Sequence, residues 1–324
     1  MRREKPPENA AQENGDGRMK GEICVSDGIR VLNAADIKAA LPPRKAVSNK
    51  GNYGRAAIAA GCIRYGGAAV LAAQAALCGG AGYTALFVPE KLRICLTGRV
   101  PEALTFSACR GGEWKLDGKR LRNILQYDAI AAGMGMGNTK SAAKVIAYLL
   151  KNYGGKLLLD ADGLNSIAAT YGVRGAAELF RSKKSAVLIT PHPAEFARLT
   201  GKHMRELLKN DGELAVEEAK KYAARNCVAV LLKGDSGAKT LICDGNRAVF
   251  NATGNSGQAK GGSGDTLSGL IVSIAASGAS LFDAACAGAY LAGRAAEIAA
   301  KEVSEYALTA TIISGNIGKA IREL

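Results

Sequence analysis

Short apolar runs alternate with longer runs rich in alanine and leucine along most of this chain. The short runs have the length of strands, and the longer ones have the length of helices. Predicted strands cover 55–60, 84–88, 129–132, 156–159, 186–190 and 228–232, and predicted helices between them include 67–77 and 141–150. Because strands that are apolar on both sides must be covered on both sides, the pattern predicts a parallel sheet between two helical layers.

The pattern changes after residue 232. Two short apolar runs, 239–243 and 247–250, flank an Asp244-Gly245 turn and predict a β-hairpin. Three helical stretches follow, at 265–276, 281–301 and 307–321. Residues 1–28 are polar and read as a flexible tail. No repeat or linker divides the remainder, so we expect one domain over 29–324.

Composition narrows the class of protein. The chain has 324 residues, of which 48% are hydrophobic, so it can bury a large core. It lacks any uninterrupted apolar stretch of about 18 residues, and no apolar segment follows its basic first residues. We therefore expect neither a membrane span nor a secretory signal, and take the cytoplasm as the default location.

Cysteine and histidine usage limits the chemistry further. The eight cysteines form no CxxC pair, and several lie in apolar runs, which favours reduced thiols packed as small hydrophobic groups. Only two histidines, His192 and His203, are present, which excludes a histidine-rich metal site. A Ser-His-Asp arrangement would have to use one of these two.

The chain carries a net charge of +14, and its first thirty residues are electrically balanced, so the excess lies in the folded part. Such a field favours anionic partners. The basic residues are scattered, with no stripe of alternating basic and aromatic residues, so we expect no nucleic-acid partner. A solvated basic surface and the attraction of a phosphorylated small ligand both stay open.

The most informative segment is 251–265, NATGNSGQAKGGSGD, which leads directly into an apolar helix. Its glycines free the backbone to present N–H groups beside a helix N-terminus, where partial positive charge favours anions. We therefore predict an anion hole formed by the residues Gly261, Gly262, Ser263 and Gly264. Asp265 is either a helix N-cap or a general base that deprotonates a hydroxyl as it attacks phosphorus.

This segment resembles the signature NxTGNPGMxTGGxGD of the ADP/ATP-dependent NAD(P)H-hydrate dehydratases, which are ribokinase-like proteins. Seven further motifs occur in the order typical of that family: KGNYG at 50–54, YGGAAVLAA at 65–73, GGAG at 79–82, GMGMG at 133–137, LDADGLN at 159–165, TPHPAE at 190–195 and LKG at 232–234. The resemblance covers about nine-tenths of the chain. It implies a ribokinase-like three-layer α/β/α sandwich with a central, mainly parallel sheet.

The resemblance also implies roles for residues at the ends of the predicted strands, where open α/β sheets bind their ligands. Gly135 and Ala68 would line the pocket for the hydrated nicotinamide, and Asp265 and His192 would contact the same substrate. Glu195 would orient metal or water. For His192 an alternative stays open, because a lone histidine more often has its hydrogen bonds satisfied by the backbone. Four further residues are expected near the site, namely Asp160, Asp162, Asn165 and Asn255. The two aspartates would either hold Mg²⁺ through water or cap the next element.

The nucleotide is expected to bind at the end of the strand 228–232. In the family, a KGxxT element contacts the nucleotide, whereas this chain has the longer turn KGDSGAKT, which displaces its threonine. The residues that would contact the nucleotide are Lys233, Gly234, Asp235, Ser236, Gly237, Thr240 and Gly264. A solvated strand end is the alternative interpretation of Lys233.

Three substitutions set the signature apart from that of the family, namely Ser256, Gln258 and Lys260. Loss of the proline at 256 is expected to loosen the loop. Lys260 would add a cation within the phosphate cradle, and that cation would either help to bind a polyphosphate or mark a weakened site. The epimerase domain that often precedes this domain in the family is not in the chain, so we expect epimerisation to come from a separate protein.

The activity implied is dehydration of (S)-NAD(P)H-hydrate to NAD(P)H with ADP or ATP as co-substrate and Mg²⁺ as cofactor. Metal would be held through the nucleotide, with Glu195 as the one candidate protein contact, and the family resemblance implies a homotetramer. Two other functions stay open: a small-molecule kinase such as a hydroxymethylpyrimidine or thiazole kinase, and a non-catalytic nucleotide sensor.

Overall fold

The computed structural model describes residues 28–209, 212–234 and 239–324. In these ranges, nine strands form one sheet in the order β3-β2-β1-β4-β5-β6-β7-β8-β9. The strands are β1 Arg55–Ala59, β2 Tyr83–Pro89, β3 Leu104–Cys109, β4 Ala129–Ala132, β5 Lys156–Leu159, β6 Ala186–Ile189, β7 Ala229–Leu232, β8 Thr240–Cys243 and β9 Ala248–Asn251. Strands β1 to β7 are parallel, and β8 pairs in the antiparallel direction with both β7 and β9.

Helices cover both faces of this sheet. They are α1 Ala34–Ala40, α2 Gly66–Cys78, α3 Glu90–Thr97, α4 Gly118–Leu121, α5 Lys140–Asn152, α6 Asp162–Arg181, α7 Pro193–Thr200, α8 Met204–Leu207, α9 Glu213–Asn226, α10 Ser263–Ala276, α11 Leu281–Ala307 and α12 Ala310–Arg322. Helices α1 to α3 and α10 to α12 pack on one face, and α4 to α9 pack on the other. The predicted three-layer α/β/α sandwich with a mainly parallel sheet is confirmed.

Alternate residues of one strand belong to two different cores. In β1, Ala56 and Ile58 pack into the core beneath α2 and α10, whereas Ala57 and Ala59 pack into the core beneath α5. Side chains of a strand alternate between faces, so a strand covered on both sides must be apolar at every position. This is why the central strands could be predicted as uninterrupted apolar runs.

The prediction missed the edge strand β3 and misplaced several helix ends. The β3 sequence LTFSAC is partly exposed and contains polar residues, so it does not resemble a strand buried on both faces. Helix α12 begins at Ala310 rather than at 307, because the Thr309 side chain accepts a hydrogen bond from the Ile312 amide and caps it. Helix α11 runs beyond 301 to Ala307, with a break at Ser304, where φ is 68°.

Helix α10, which carries Asp265, is attached to β5 at two points, one in its second turn and one near its carboxyl end. Ser268 donates a hydrogen bond of 2.8 Å to Asp160 at the carboxyl end of β5. At the opposite end, Lys156 Nζ donates to the carbonyl oxygens of Ala275 and Ala279, each at 2.8 Å. The position of Asp265 is therefore set by the central sheet.

Two further expectations concern membranes and the tail. Of the helices described, none combines the length and hydropathy that a bilayer span needs. The expected flexible tail, 1–28, lies outside the described residues except for its last one.

Close packing of α10 against α2 gives a first test. A β-carbon on Gly269 would lie 1.9 Å from the Ala72 carbonyl oxygen, so Gly269→Ala forces the two helices apart. We expect this variant to lose about 2 kcal/mol of unfolding free energy, as other overpacked cores do. Urea denaturation measures the loss.

Gly318→Ala is the matched control, because Gly318 lies on the exposed side of α12 with open space around it. Alanine there is expected to add about 0.5–1 kcal/mol of stability by its helix propensity alone. Equal stability of Gly269→Ala and the unmodified protein would contradict the packing described.

Candidate functional site

Asp265 lies in the first turn of α10. The helix begins at Ser263, and its N-cap is Gly262 with φ of 98° and no side-chain cap. Asp265 is thus the third helical residue, and its interpretation as an N-cap is wrong. The first amides of a helix have no intrahelical acceptor, so the N–H groups of Gly264 and Asp265 are available to a ligand. The predicted anion hole coincides with this helix start.

Two of the nine buried side-chain oxygens that lack a hydrogen-bond partner in the described residues lie at the same helix start. Within the described ranges, the Ser263 and Thr266 hydroxyl oxygens are buried without a hydrogen-bond partner. Such groups are rare in folded proteins unless water, an ion or a ligand satisfies them. Ser263 therefore joins the helix amides as a candidate contact for an anion.

Beneath the helix start lies a buried ion pair between Lys233 and Asp160. Lys233 Nζ donates a hydrogen bond of 2.7 Å to Asp160 Oδ1, and the Asp160 side chain is 1% exposed. A β-carbon on Gly264 would lie 3.3 Å from the Lys233 ammonium. Glycine at 264 therefore lets the helix start approach the ion pair. Lys233 is not a solvated strand end.

These charges act on Asp265. Burial, together with the neighbouring carboxylates of Asp160 and Asp162, raises its pKa from 3.8 to about 7, and the Lys233 ammonium opposes this shift. A carboxyl group with this pKa can accept a proton near neutral pH, as a general base must. Asp160 contributes to this shift in addition to its ion pair, a role that sequence reasoning did not foresee.

The turn between the two aspartates has an unusual backbone. Ala161 adopts φ of 49° and ψ of −121°, a conformation that residues other than glycine rarely adopt. The turn directs Asp160 towards Lys233, and Asp162 towards the GMGMG loop, where Asp162 Oδ2 accepts a 2.8 Å hydrogen bond from the Gly137 amide. Sequence reasoning placed both aspartates at this edge but did not separate their partners.

Gly135 and Ala68, both predicted to line the pocket for the hydrated nicotinamide, lie side by side. Gly135 has φ of 61°, and a β-carbon on it would lie 2.8 Å from the Ala68 β-carbon and 2.9 Å from the Tyr65 β-carbon. The absence of a side chain at 135 keeps the GMGMG loop close to the start of α2. Their part in binding a nicotinamide ring stays a prediction.

His192 caps α7 with its side chain. Its Nδ1 accepts a 3.1 Å hydrogen bond from the Ala194 amide, and its Nε2 lies 3.4 Å from Glu195 Oε1. Buried Glu195 accepts hydrogen bonds from the His192 amide at 3.0 Å and from Asn165 Nδ2 at 3.3 Å. The alternative interpretation of His192, a histidine hydrogen-bonded to the backbone, is therefore observed. With 48% of its side chain exposed, His192 still offers a surface to a substrate.

Thr240 returns to the end of β7 despite the longer turn. Its hydroxyl accepts a 3.3 Å hydrogen bond from the Gly234 amide, so the first residues of the KG element and its threonine are neighbours. Asp235, Ser236 and Gly237 lie outside the described residues.

Asn255 and Lys260 take structural positions in the signature loop. Asn255 Nδ2 donates to the Ala296 carbonyl of α11 at 3.1 Å. Lys260 Nζ donates to the Tyr306 carbonyl and, at 2.9 Å, to the Leu308 carbonyl. The expectation that Lys260 adds a cation to the phosphate cradle is wrong, because backbone carbonyls beyond the loop bind its ammonium group.

The described residues contain no group of three His, Cys, Asp or Glu side chains spaced to hold a metal ion. Asp160 has both oxygens engaged, by Lys233 and by Ser268. Glu195 likewise accepts a hydrogen bond at each oxygen, from Asn165 and from the His192 amide. The described contacts engage only Oδ2 of Asp162, which is therefore the most open of the three carboxylates to a cation brought by another ligand.

The raised pKa of Asp265 predicts how stability depends on pH. Between pH 4 and pH 7 the folded protein holds a proton that the unfolded chain has lost, so stability falls as pH rises through this window. Asp265→Asn removes the buried charge and is expected to stabilise the protein by about 2 kcal/mol at pH 8. Denaturant titrations at pH 8 and pH 4 measure the difference.

At pH 4 this gain should nearly vanish, since the aspartate is then protonated in the folded state. Asp128→Asn, at the opposite edge of the sheet, is the control and should show no such gain. An equal effect of Asp265→Asn at both pH values would contradict the shift.

Comparison with known proteins agrees with this geometry. The family model described as NAD(P)H-hydrate dehydratase matches residues 56–318. An ADP-dependent (S)-NAD(P)H-hydrate dehydratase of Neisseria meningitidis is 34% identical over 280 residues, covering 86% of each chain. A bifunctional NAD(P)H-hydrate repair enzyme of Thermofilum pendens is 32% identical over 88% of this chain and 53% of its own length. The chain thus spans about half the length of such bifunctional relatives.

Solved structures give the same assignment. The crystal structure of an ADP/ATP-dependent NAD(P)H-hydrate dehydratase from Bacillus subtilis, co-crystallised with ATP and Mg²⁺, superposes with a TM-score of 0.77 at 30% identity. The match covers 92% of this chain and 99% of that one. A hydroxyethylthiazole kinase from Pyrococcus horikoshii, with a TM-score of 0.54 and 15% identity, shares the fold alone. This chain belongs to the NAD(P)H-hydrate dehydratase family.

Proposed function

We propose that this protein dehydrates (S)-NAD(P)H-hydrate to NAD(P)H and consumes ADP or ATP in doing so. The observation that carries the proposal is the Asp265 carboxyl, with its pKa of about 7, beside the glycine-lined start of α10. A base and an anion site at one point are what phosphoryl transfer to a hydroxyl requires.

In the first step, Asp265 accepts the proton of the ring hydroxyl as the hydroxyl oxygen attacks the terminal phosphorus of the nucleotide. The bond between that phosphorus and the bridging oxygen breaks, and the shortened nucleotide leaves. Amides at the start of α10 and the Ser263 hydroxyl stabilise the charge that develops on the phosphoryl oxygens.

In the second step, the ring nitrogen's lone pair expels the new phosphate ester as inorganic phosphate. The bond between carbon and oxygen breaks, and the neighbouring ring carbon then loses a proton to restore the dihydronicotinamide. Phosphorylation thereby converts hydroxide, a poor leaving group, into phosphate.

The two ligands would approach from opposite sides of Asp265. Gly135, Ala68 and the exposed part of His192 offer a surface for the hydrated nicotinamide. Gly234, Thr240 and Gly264 lie on the nucleotide side, where Gly234 and Thr240 are hydrogen-bonded. With the reactive ends held near Asp265, much of the entropic barrier is removed.

Mg²⁺ is expected to arrive with the nucleotide. Asp160 and Glu195 each accept hydrogen bonds at both oxygens, and Asp162 accepts one at Oδ2 alone. Asp162 would therefore hold the ion through water, with Glu195 as the second candidate. When bound, the ion neutralises phosphate charge. The homotetramer and the separate epimerase stay predictions.

The direct test follows the recovery of reduced nicotinamide by absorbance, with purified protein, Mg²⁺ and hydrated NADH or NADPH, comparing ADP, ATP and no nucleotide. Recovery that depends on nucleotide supports the proposal and identifies the phosphate donor. Nucleotide binding without recovery would reject it, and would leave a kinase or a nucleotide sensor as the remaining functions.

Replacing the proposed base gives a sharper prediction. Asp265→Asn is expected to lower kcat by at least about 100-fold, because general bases contribute at least that much. In the unmodified protein, kcat/KM should rise with pH through about 7 as Asp265 loses its proton.

Asp128→Asn serves again as the matched control and should keep both the rate and the pH profile. Near-normal turnover by Asp265→Asn would remove Asp265 from the mechanism. A pH profile that is flat from pH 5 to pH 8 would contradict its role as the base.

A further inference from the structure

The signature loop lies along helix α11. The Thr253 hydroxyl donates a 3.0 Å hydrogen bond to the Tyr290 carbonyl, and Asn255 Nδ2 donates one to the Ala296 carbonyl. These contacts hold the first part of the loop. Its second part, 256–262, leads to the anion hole and is held by a different structure.

That structure is the corner between α11 and α12, here defined as residues 304–310. Helix α11 breaks at Ser304, where φ is 68° and ψ is 160°, and the chain turns before Ala310 begins α12. Carbonyl groups at the end of a helix lack intrahelical donors and attract cations. The corner therefore presents acceptors to whatever packs against it.

Lys260 supplies the donor that the corner carbonyls need. Its ammonium group binds the carbonyls of Tyr306 and Leu308, from a position one residue before Gly261. The Ser256 hydroxyl binds the carboxylate of Glu305 at the same corner. Two of the three departures from the family signature thus contact one short stretch of chain.

Glycines bring the same loop and corner close together. A β-carbon on Gly257 would lie 2.8 Å from the Glu305 carbonyl oxygen, and one on Gly262 would lie 3.1 Å from the Ala310 β-carbon. The corner therefore meets the loop on both sides of Lys260. Movement of this loop would displace the amides at the start of α10.

We propose that Lys260 is a positioning residue that fastens the signature loop to the α11–α12 corner and keeps the anion hole formed before a nucleotide binds. In the family signature a proline stands at position 256, where it would restrict the backbone. In this chain, hydrogen bonds to the corner supply that restraint. The link to nucleotide binding rests on the proposed function, whereas loop order can be measured without substrate.

The test is Lys260→Met, which keeps the aliphatic stem and removes the ammonium donor. Amide hydrogen exchange over 255–264 in the nucleotide-free protein should become at least about fivefold faster, since the substitution removes two hydrogen bonds and the loss of one corresponds to about that factor. KM for ADP or ATP should rise by a similar factor, about fivefold, with kcat retained, since ordering the loop then opposes binding. Lys260→Arg should keep most of the protection.

Lys319→Met is the matched control. Lys319 lies on α12 and forms an exposed ion pair of 2.7 Å with Glu302, so its loss should change neither loop exchange nor KM. Unchanged exchange in Lys260→Met with weaker nucleotide binding would make Lys260 a direct phosphate ligand and overturn the proposal. If even the unmodified protein fails to repair the hydrate, the proposed function fails, while the exchange result still decides the role of Lys260.

A rescue experiment tests the equivalence with proline. Asn255 is extended, with φ of −146° and ψ of 174°, and Ser256 is the first residue of a 3-10 turn, so both positions are compatible with proline at 256. Ser256→Pro added to Lys260→Met should slow loop exchange again by about fivefold. Exchange as fast as in Lys260→Met alone would show that the two restraints are not equivalent.

Discussion

The buried ion pair between Lys233 and Asp160 is the interaction on which the site depends. It joins the carboxyl ends of β7 and β5, and Ser268 attaches α10 to the same carboxylate. Removing one member of a buried pair leaves an uncompensated charge, which typically costs about 3–5 kcal/mol. The pair is therefore both a structural joint of the sheet edge and the main source of positive charge near Asp265.

Electrostatic balance around Asp265 follows from this joint. Burial and two neighbouring carboxylates favour the protonated form, and one ammonium group opposes them, so the pKa lies near neutrality. Without Lys233, the acid would keep its proton at neutral pH. The pKa of Asp265 thus depends on Lys233, whose charge is already paired with Asp160.

Much of the fold could be predicted from the sequence because its main constraint is local. Strands covered on both faces must be apolar throughout, and Ala129–Ala132 and Lys156–Leu159 were predicted with their observed bounds. Edge strand β3 escaped prediction because its first four residues are partly exposed and include polar ones, which removes the uninterrupted apolar signal.

The glycine-rich segment and its aspartate could also be placed from the sequence, since both follow from the backbone freedom that glycine gives. Contacts between distant residues could not. Lys233 meets Asp160, 73 positions away, and Lys260 meets Leu308, 48 positions away, through the fold alone. The strained Ala161 conformation left no signal, because nothing in the residue type requires it.

Attachment of α10 to β5 at two points has a consequence for the choice of phosphate donor. Hydrogen bonds from Ser268 in the second turn and from Lys156 near the last turn hold the helix at two points and oppose its sliding along its axis. In the proposed reaction, the position that the terminal phosphate must reach would therefore be the same for every nucleotide. ATP, longer than ADP by one phosphate, must then place its adenosine farther from Asp265. Under the proposed function, the use of ADP, of ATP or of both would then be decided at the adenosine end of the site, while the reaction at the terminal phosphate would be the same for each.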